Sequence, residues 1–312
     1  MISEADIAAA VDALERGDLV AFPTETVYGL GADATNDRAV ARVYAAKGRP
    51  SFNPLISHVA HAAAAFRLGE FPDPARRLAE AFWPAPLTLV VARAAHCPVS
   101  MLASAGLSSL AIRVPNHPVA LDLLRRFGKP VVGPSANPSG KVSPTAAEHV
   151  RRHLGDKVAV ILDGGRCKVG VESTVVSFLG GEPKLLRPGG IARAEIERLA
   201  GRPLHVESHS DRPHAPGQLR SHYAPRAELR LNAEAPRPGE AYVGFGPLHA
   251  HGPHTLSATG DLIEAAASLF RVLHDVDATG AAVIAVAPIP HHGLGEAIND
   301  RLLRAAAPRD AP

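Results

Sequence analysis

Short aliphatic runs that close on polar residues constrain this chain more than any other feature. LVAF (19–22) leads into PTET, LAIRV (110–114) ends on an arginine-bearing strand, VV (131–132) leads into GPSAN, and TVVSF (174–178) follows ES; LTLVV (87–91) adds another run. Runs of this length without strict alternation read as buried strands. Further strands are expected at Leu55–Ile56 and Val158–Leu162. Between them, Ile7–Leu14, Ala39–Ala46 behind an Asn36-Asp37 cap, Ala75–Phe82, His117–Phe127 and Thr145–Leu154 carry helical spacing. The alternation predicts an α/β fold whose irregular loops at strand ends carry the chemistry.

HVESHSDRPHAPGQLRSHYAPRAE (205–228) breaks the pattern, being rich in His, Pro and Ser and poor in aliphatics. It reads as a linker. Beyond it, strands at Ala241–Phe245 and Ala281–Ala287 alternate with helices at Asp261–His274 and Gly295–Ala306. The expected organisation is a domain over 1–205, a linker or lid over 206–226 and a smaller α/β domain over 227–312. No apolar run approaches the roughly 20 residues of a membrane helix, and the N-terminus reads as a folded amphipathic helix, not a leader. Cys97 and Cys167 are the only cysteines, which points to a reducing cytoplasm. A net charge of +2 is too small to imply nucleic acid by bulk electrostatics.

Two nucleotide motifs are approached and missed. GLGADA (29–34) fits a dinucleotide fingerprint, but six residues, Pro23 to Tyr28, separate it from the preceding strand, and the region ending in Ser57-His58 has no acid for a ribose. GPSANPSGK (133–141) spaces its glycines too widely for a P-loop and puts Val142 at the Mg-binding position. Other groups suit a phosphate. Lys47 and Arg49 of KGRPSFNPL form a cation pair at a helix end, though a solvated basic helix end would look the same. Ser135, Asn137, Ser139 and Ser143 crowd a strand end before Pro144-Thr145 opens a helix, whose N-terminus suits an anion; a plain capped turn is the alternative. Arg113, in an apolar strand, suits a carboxylate unless the strand is an edge turned to solvent. Glu172, Ser173 and Thr174 begin a strand, Arg187 follows another, Ser109 stands near Arg113, and His58 ends ISH. His205, His209, His214 and His222 fit no zinc spacing and read as solvated. There is no nucleophile elbow and no H-E-x-x-H, so positioning and charge neutralisation, as in nucleotidyl transfer, are the expected means.

In this order and spacing, PTETVYGLGADA, KGRPSFNPL, GPSANPSGKVSPT, ESTVV and RPG resemble the YrdC/Sua5 family over about residues 15 to 190. APGQLRSHYAP and EAINDRLLRAA (296–306) resemble its longer, two-domain Sua5-type members; Gln218 stands where that linker motif has a methionine. The resemblance implies a twisted, mostly parallel sheet around a concave, positively charged cleft, with a smaller Rossmann-like C-terminal domain. It implies an L-threonylcarbamoyladenylate synthase: L-threonine, bicarbonate and ATP, with Mg²⁺, give threonylcarbamoyl-AMP and pyrophosphate. The product feeds t6A formation on ANN-decoding tRNAs through a downstream transferase complex. Matched motif by motif, Lys47 and Arg49 serve the chemistry; Thr26, His58, Arg113 and Ser173 hold threonine. Lys47, Arg49, Asn53, Ser109, Ser135, Asn137, Ser143 and Arg187 hold ATP, and Tyr223 closes over the cleft. No protein metal ligand is implied. Gly29 and Gly31 let the backbone turn and pack closely. The rival readings are a non-catalytic double-stranded RNA or tRNA binder using the same cleft, a hydrogenase-maturation carbamoyl-adenylate domain, which would carry Cys-rich modules, and a scaffold in a tRNA-modification complex.

Overall fold

The computed structural model describes residues 2–207, 215, 220–250 and 252–308. In chain order the elements are α1 (Glu4–Glu15), β1 (Val20–Phe22), β2 (Gly29–Asp33), α2 (Asp37–Lys47), β3 (Ile56–His58), α3 (Ala62–Phe66), β4 (Gly69–Glu70), α4 (Asp73–Phe82), β5 (Leu87–Arg93) and β6 (Ser109–Arg113). Then come α5 (Pro118–Phe127), β7 (Val131–Val132), α6 (Ala147–Leu154), β8 (Val160–Ile161), β9 (Thr174–Ser177), β10 (Lys184–Arg187), α7 (Arg193–Ala200) and β11 (His205–Val206). The C-terminal part adds β12 (Glu228–Arg230), β13 (Ala241–Val243), α8 (Leu262–Asp277), β14 (Val283–Val286) and α9 (Gly295–Ala306).

Local signals set the elements as expected. Asn36 caps α2, its side chain accepting from the Arg38 and Ala39 amides. Gly48, at φ +60°, ends that helix. Lys47 is therefore the last helical residue, and Arg49 lies beyond the stop.

Eleven strands form one sheet in the order β11-β10-β9-β5-β6-β3-β7-β2-β1-β8, with β4 on β5. Four of its pairings run parallel and six antiparallel. The α/β sheet is thus more mixed than the mostly parallel one expected. Two of the six antiparallel pairings follow from connection length: six residues, 23–28, join β1 to β2, and six, 178–183, join β9 to β10. A parallel crossover needs a dozen or more.

The segment expected to turn at Gly29 and Gly31 is instead a strand, β2, paired with β1. Both glycines lie under the Phe22 ring: a Cβ on either would sit 3.0 Å from a ring carbon. Close packing is their role, and turning is not.

The C-terminal sheet, β12-β14-β13, is wholly parallel. Its core takes in Val27, Val142 and Val171 from the first domain beside Tyr223, Phe270 and Leu273. The two domains therefore share one apolar junction. At the two ends of the expected linker, β11 pairs with β10, and Ala224 bonds back to the Gly140 carbonyl at 2.8 Å. Among the described residues no helix is long and apolar enough to cross a membrane.

Candidate active site

The site forms where the ends of β3, β6 and β10 meet the loops after β1, α2 and β7 and the segment before β9. Parallel pairing of β3 with β6 sets His58 opposite Arg113. Arg113, 4% exposed, is no edge-strand arginine: its Nη2 lies 2.7 Å from Glu25 Oε1. That ion pair is not aligned as a hydrogen bond, and both Glu25 oxygens and Arg113 Nε lack hydrogen-bond partners. His58 packs edge-on against Phe22. Burial, with help from the Arg113 charge, pulls its pKa down to about 3. The ring is neutral at pH 7, and its Nδ1 has no hydrogen-bond partner. Thr26 is fully buried, 2.8 Å from Thr24 through their hydroxyls.

Lys47 and Arg49 are both buried, so neither is a solvated helix-end cation. Lys47 Nζ donates to the carbonyls of Ser135, at 2.6 Å, and Asn137. Burial and the nearby Arg49 charge hold Lys47 well below its ordinary pKa. Arg49 donates to Asn53 Oδ1 at 2.6 Å and to the Asn53 and Pro54 carbonyls. One hinge thus orders the whole KGRPSFNPL loop and ties it to SAN. Asn137 and Ser143 are buried on the post-β7 loop, and Ser109 is buried at the start of β6, the opposite end of that strand from Arg113.

Arg187 falls on the other predicted group. It donates through Nε and Nη2 to the Ser173 carbonyl at 3.1 and 2.9 Å, and through Nη2 to Ser173 Oγ at 3.1 Å. Ser173 Oγ also lies 2.7 Å from Thr88 Oγ1. A residue expected on ATP therefore positions one expected on threonine, and the two sub-sites are not independent. The expected anion-binding N-terminus at Thr145 is also modified: α6 begins at Ala147, and the Thr145 amide points to His149 Nδ1 at 3.3 Å.

Tyr223, 1% exposed, folds over this cluster at φ +63°. His222 beside it is buried too, its pKa drawn down by burial to about 3. It is not the solvated linker histidine expected. His205 is exposed; His209, His214 and Gln218 lie outside the described residues. With the segment down, the cavity among Arg49, Arg113, Ser135, Ser173, Arg187 and Tyr223 holds only about 40 Å³. That is room for a few waters, not for an amino acid. A separate cavity of about 850 Å³ near Arg67, Leu124 and Arg125 contains none of these residues.

Four functional-looking residues were assigned no role by sequence reasoning: Glu25, Thr88, Glu172 and Arg301. Ser143 Oγ donates to Glu172 Oε1 at 2.6 Å, and Arg301 Nε donates to Oε2 at 2.8 Å. Burial would raise the Glu172 carboxyl, but Arg301 and Arg187 hold it below its ordinary value. The available signal for Arg301 was its place between Ile298 and Ala305 on the inward stripe of α9, where a cation is unusual. Among the described residues no three His, Cys, Asp or Glu side chains are grouped to hold a metal ion.

Buried cations gathered at strand ends, with no activated nucleophile beside them among the described residues, define an α/β protein with a site suited to anionic groups. Comparison with known proteins narrows this class. The chain belongs to the Sua5/YciO/YrdC family: that family model, described as "Telomere recombination", matches residues 12–189. The model for the threonylcarbamoyl-AMP synthase C-terminal domain matches residues 191–307. The Threonylcarbamoyl-AMP synthase of Bacillus subtilis is 41% identical over 98% of this chain and 94% of its own length. That of Pyrococcus abyssi is 40% identical over 99% and 96%. The crystal structure of P. abyssi Sua5 complexed with L-threonine superposes with a TM-score of 0.90 at 38% identity, covering 98% of this chain and 95% of that one.

Proposed function

We propose that this chain is a threonylcarbamoyl-AMP synthase, a nucleotidyltransferase supplying the activated threonylcarbamoyl group for t6A in tRNA. One observation carries the reading: Arg113 is paired, deep in the site, with a carboxylate that has no hydrogen bond of its own. Glu25 stands where the carboxylate of an amino acid would stand. A substrate carboxylate taking Arg113 makes the bidentate contact that this guanidinium lacks. His58, neutral with Nδ1 unpartnered, can accept from the threonine hydroxyl. Thr26 and Ser173 complete that side.

The reaction needs no covalent enzyme intermediate. The threonine amine takes up bicarbonate-derived CO₂ as a carbamate, losing a proton. A carbamate oxygen attacks the α-phosphorus of ATP, the bond to the bridging oxygen breaks, and pyrophosphate leaves. Lys47, Arg49 and Arg187 offset the charge that develops on the phosphates, and Asn53, Ser109, Ser135, Asn137 and Ser143 orient the nucleotide. Mg²⁺ would enter on the ATP phosphates and be held mainly by them. Its charge would assist the leaving pyrophosphate. Tyr223 would lift to admit substrates and close to keep water from the mixed anhydride. A cytoplasmic setting, a downstream tRNA-modifying transferase complex and tRNA contact belong to the same reading.

Pyrophosphate release from ATP by the purified protein tests this. Release that requires both L-threonine and bicarbonate is the expected result. Release indifferent to threonine would mean that the cleft serves another acid, and no release would favour a cleft that only binds RNA; either result would overturn the assignment.

A further inference from the structure

The C-terminal domain sends one side chain into the site of the first, and the reaction above gives it no part. Arg301 on α9 is 0% exposed. Its Nε reaches Glu172, and its Nη1 reaches the Pro188 carbonyl at 2.9 Å and Asp300 at 2.6 Å. Its guanidinium lies 5.2 Å from the centre of the Tyr223 ring, and Nη2 has no hydrogen-bond partner. Two further bonds join the same parts. His274 on α8 places Nε2 3.1 Å from the Ser143 carbonyl, and the His222 amide donates to the Arg304 carbonyl at 3.1 Å.

Stability alone does not explain this arrangement. The apolar junction through Val27, Val142 and Val171 already joins the domains. A buried ion pair adds little over a well-packed apolar contact, because both charges are desolvated. What such contacts do supply is geometry: a planar guanidinium bonded at once to Glu172, Asp300 and the Pro188 carbonyl is held in one orientation. Glu172 hands that orientation to Ser143, and the stacked guanidinium hands it to Tyr223.

We propose that Arg301 is a positioning residue of the catalytic site, tying closure of the His222–Ala224 segment to the placement of Ser143 through Glu172. On this view the C-terminal domain is a working part of the site, because it carries the latch that the closed segment engages. The kinetic consequence rests on the synthase reading; the latch itself does not.

The test uses the full chain and the variants Arg301→Gln, Glu172→Gln and their double, each checked for cooperative melting. Two readouts are taken: pyrophosphate release at varied ATP and L-threonine, and the rate at which trypsin cuts after the exposed Arg220, followed by mass spectrometry. Arg301→Gln should lower kcat about tenfold or more, as small misplacements of reacting groups do, with a smaller change in KM for threonine. It should also speed cutting after Arg220 severalfold. The double variant, which removes both members of the Arg301–Glu172 pair, should lose less kcat than the product of the two single losses. Unchanged cutting and kcat in a folded Arg301→Gln protein would overturn the proposal, as would strictly multiplicative losses. If Arg301→Gln does not fold, the double variant decides: faster cutting supports the latch, and wild-type cutting rejects it. Should wild-type protein release no threonine-dependent pyrophosphate, the synthase reading fails, and the cutting rates still judge the latch.

Discussion

Arg113 and Arg187 were both legible as residue types, but their partners were not. Arg113 meets Glu25, a residue eighty-eight positions away in sequence, because β6 and the loop after β1 converge. Replacing Arg113 with Ala should raise KM for threonine by about ten- to a hundredfold, the worth of a charge-assisted hydrogen bond of about 1.5–3 kcal/mol, and leave KM for ATP much less changed. Lys47→Ala should do the reverse. Arg187→Ala should raise both, since that guanidinium holds Ser173 and is assigned to the nucleotide under the proposed function. Steady-state kinetics in each substrate separates the three patterns; equal shifts for Arg113 and Lys47 would reject the sub-sites. Glycine roles divide similarly. A Cβ at Gly189 would fall 2.4 Å from the backbone of Glu172, Ser173 and Thr174. A Cβ at Gly31 would meet Phe22 and the Val20 carbonyl no closer than 3.0 Å, so Gly189→Ala should cost about 3 kcal/mol, the upper end of overpacking, and Gly31→Ala less. Urea midpoints measure both.

At the scale of elements, the long strands and seven of the helices could be read from their own periodicity, whereas α3 and α7 were not. The short strands β4, β11 and β12 could not: two or three residues hold no period, and only a neighbouring strand defines them. β2 was hidden for a different reason. GLGAD looks like a turn by composition, and its glycines are explained only by Phe22 lying across them. The HYAP segment was recognisable as a lid motif, whereas its depth was not. Tyr223→Ala should open the cleft to water. The ratio of pyrophosphate released to threonylcarbamoyl-AMP accumulated should then rise, and chromatography of the products reads it; an unchanged ratio would mean the ring shields nothing.

Across the whole molecule, four buried imidazoles couple the fold to pH. His58 and His222 lie in the site; His149 on α6 and His274 on α8 pack with ring centres 4.0 Å apart at the domain junction. Burial lowers their pKa values to about 3, 3, 4 and 3 respectively, from an ordinary 6.5. Below pH 6.5 the unfolded chain takes up protons that the folded chain refuses. Stability is therefore complete above pH 6.5 and falls as pH drops toward 4, by up to about 1.4 kcal/mol per pH unit for each ring. Melting temperature followed from pH 7.5 to 5 should fall steeply. His274→Phe should flatten that slope by about one proton; an unchanged slope would show that the junction does not titrate.

The sequence by itself determined most of the helices, the cap of α2, the aliphatic strands, the polar loops at their ends and the two-domain family to which the chain belongs. All of these reside in residues near one another along the chain. The tertiary structure alone decided the mixed strand directions, the Arg113–Glu25 pair, the sharing of Ser173 between sub-sites and the arrival of Arg301 from α9. Each of these depends on which distant segments meet, and partner choice is settled by burial of the whole chain, not by any local pattern.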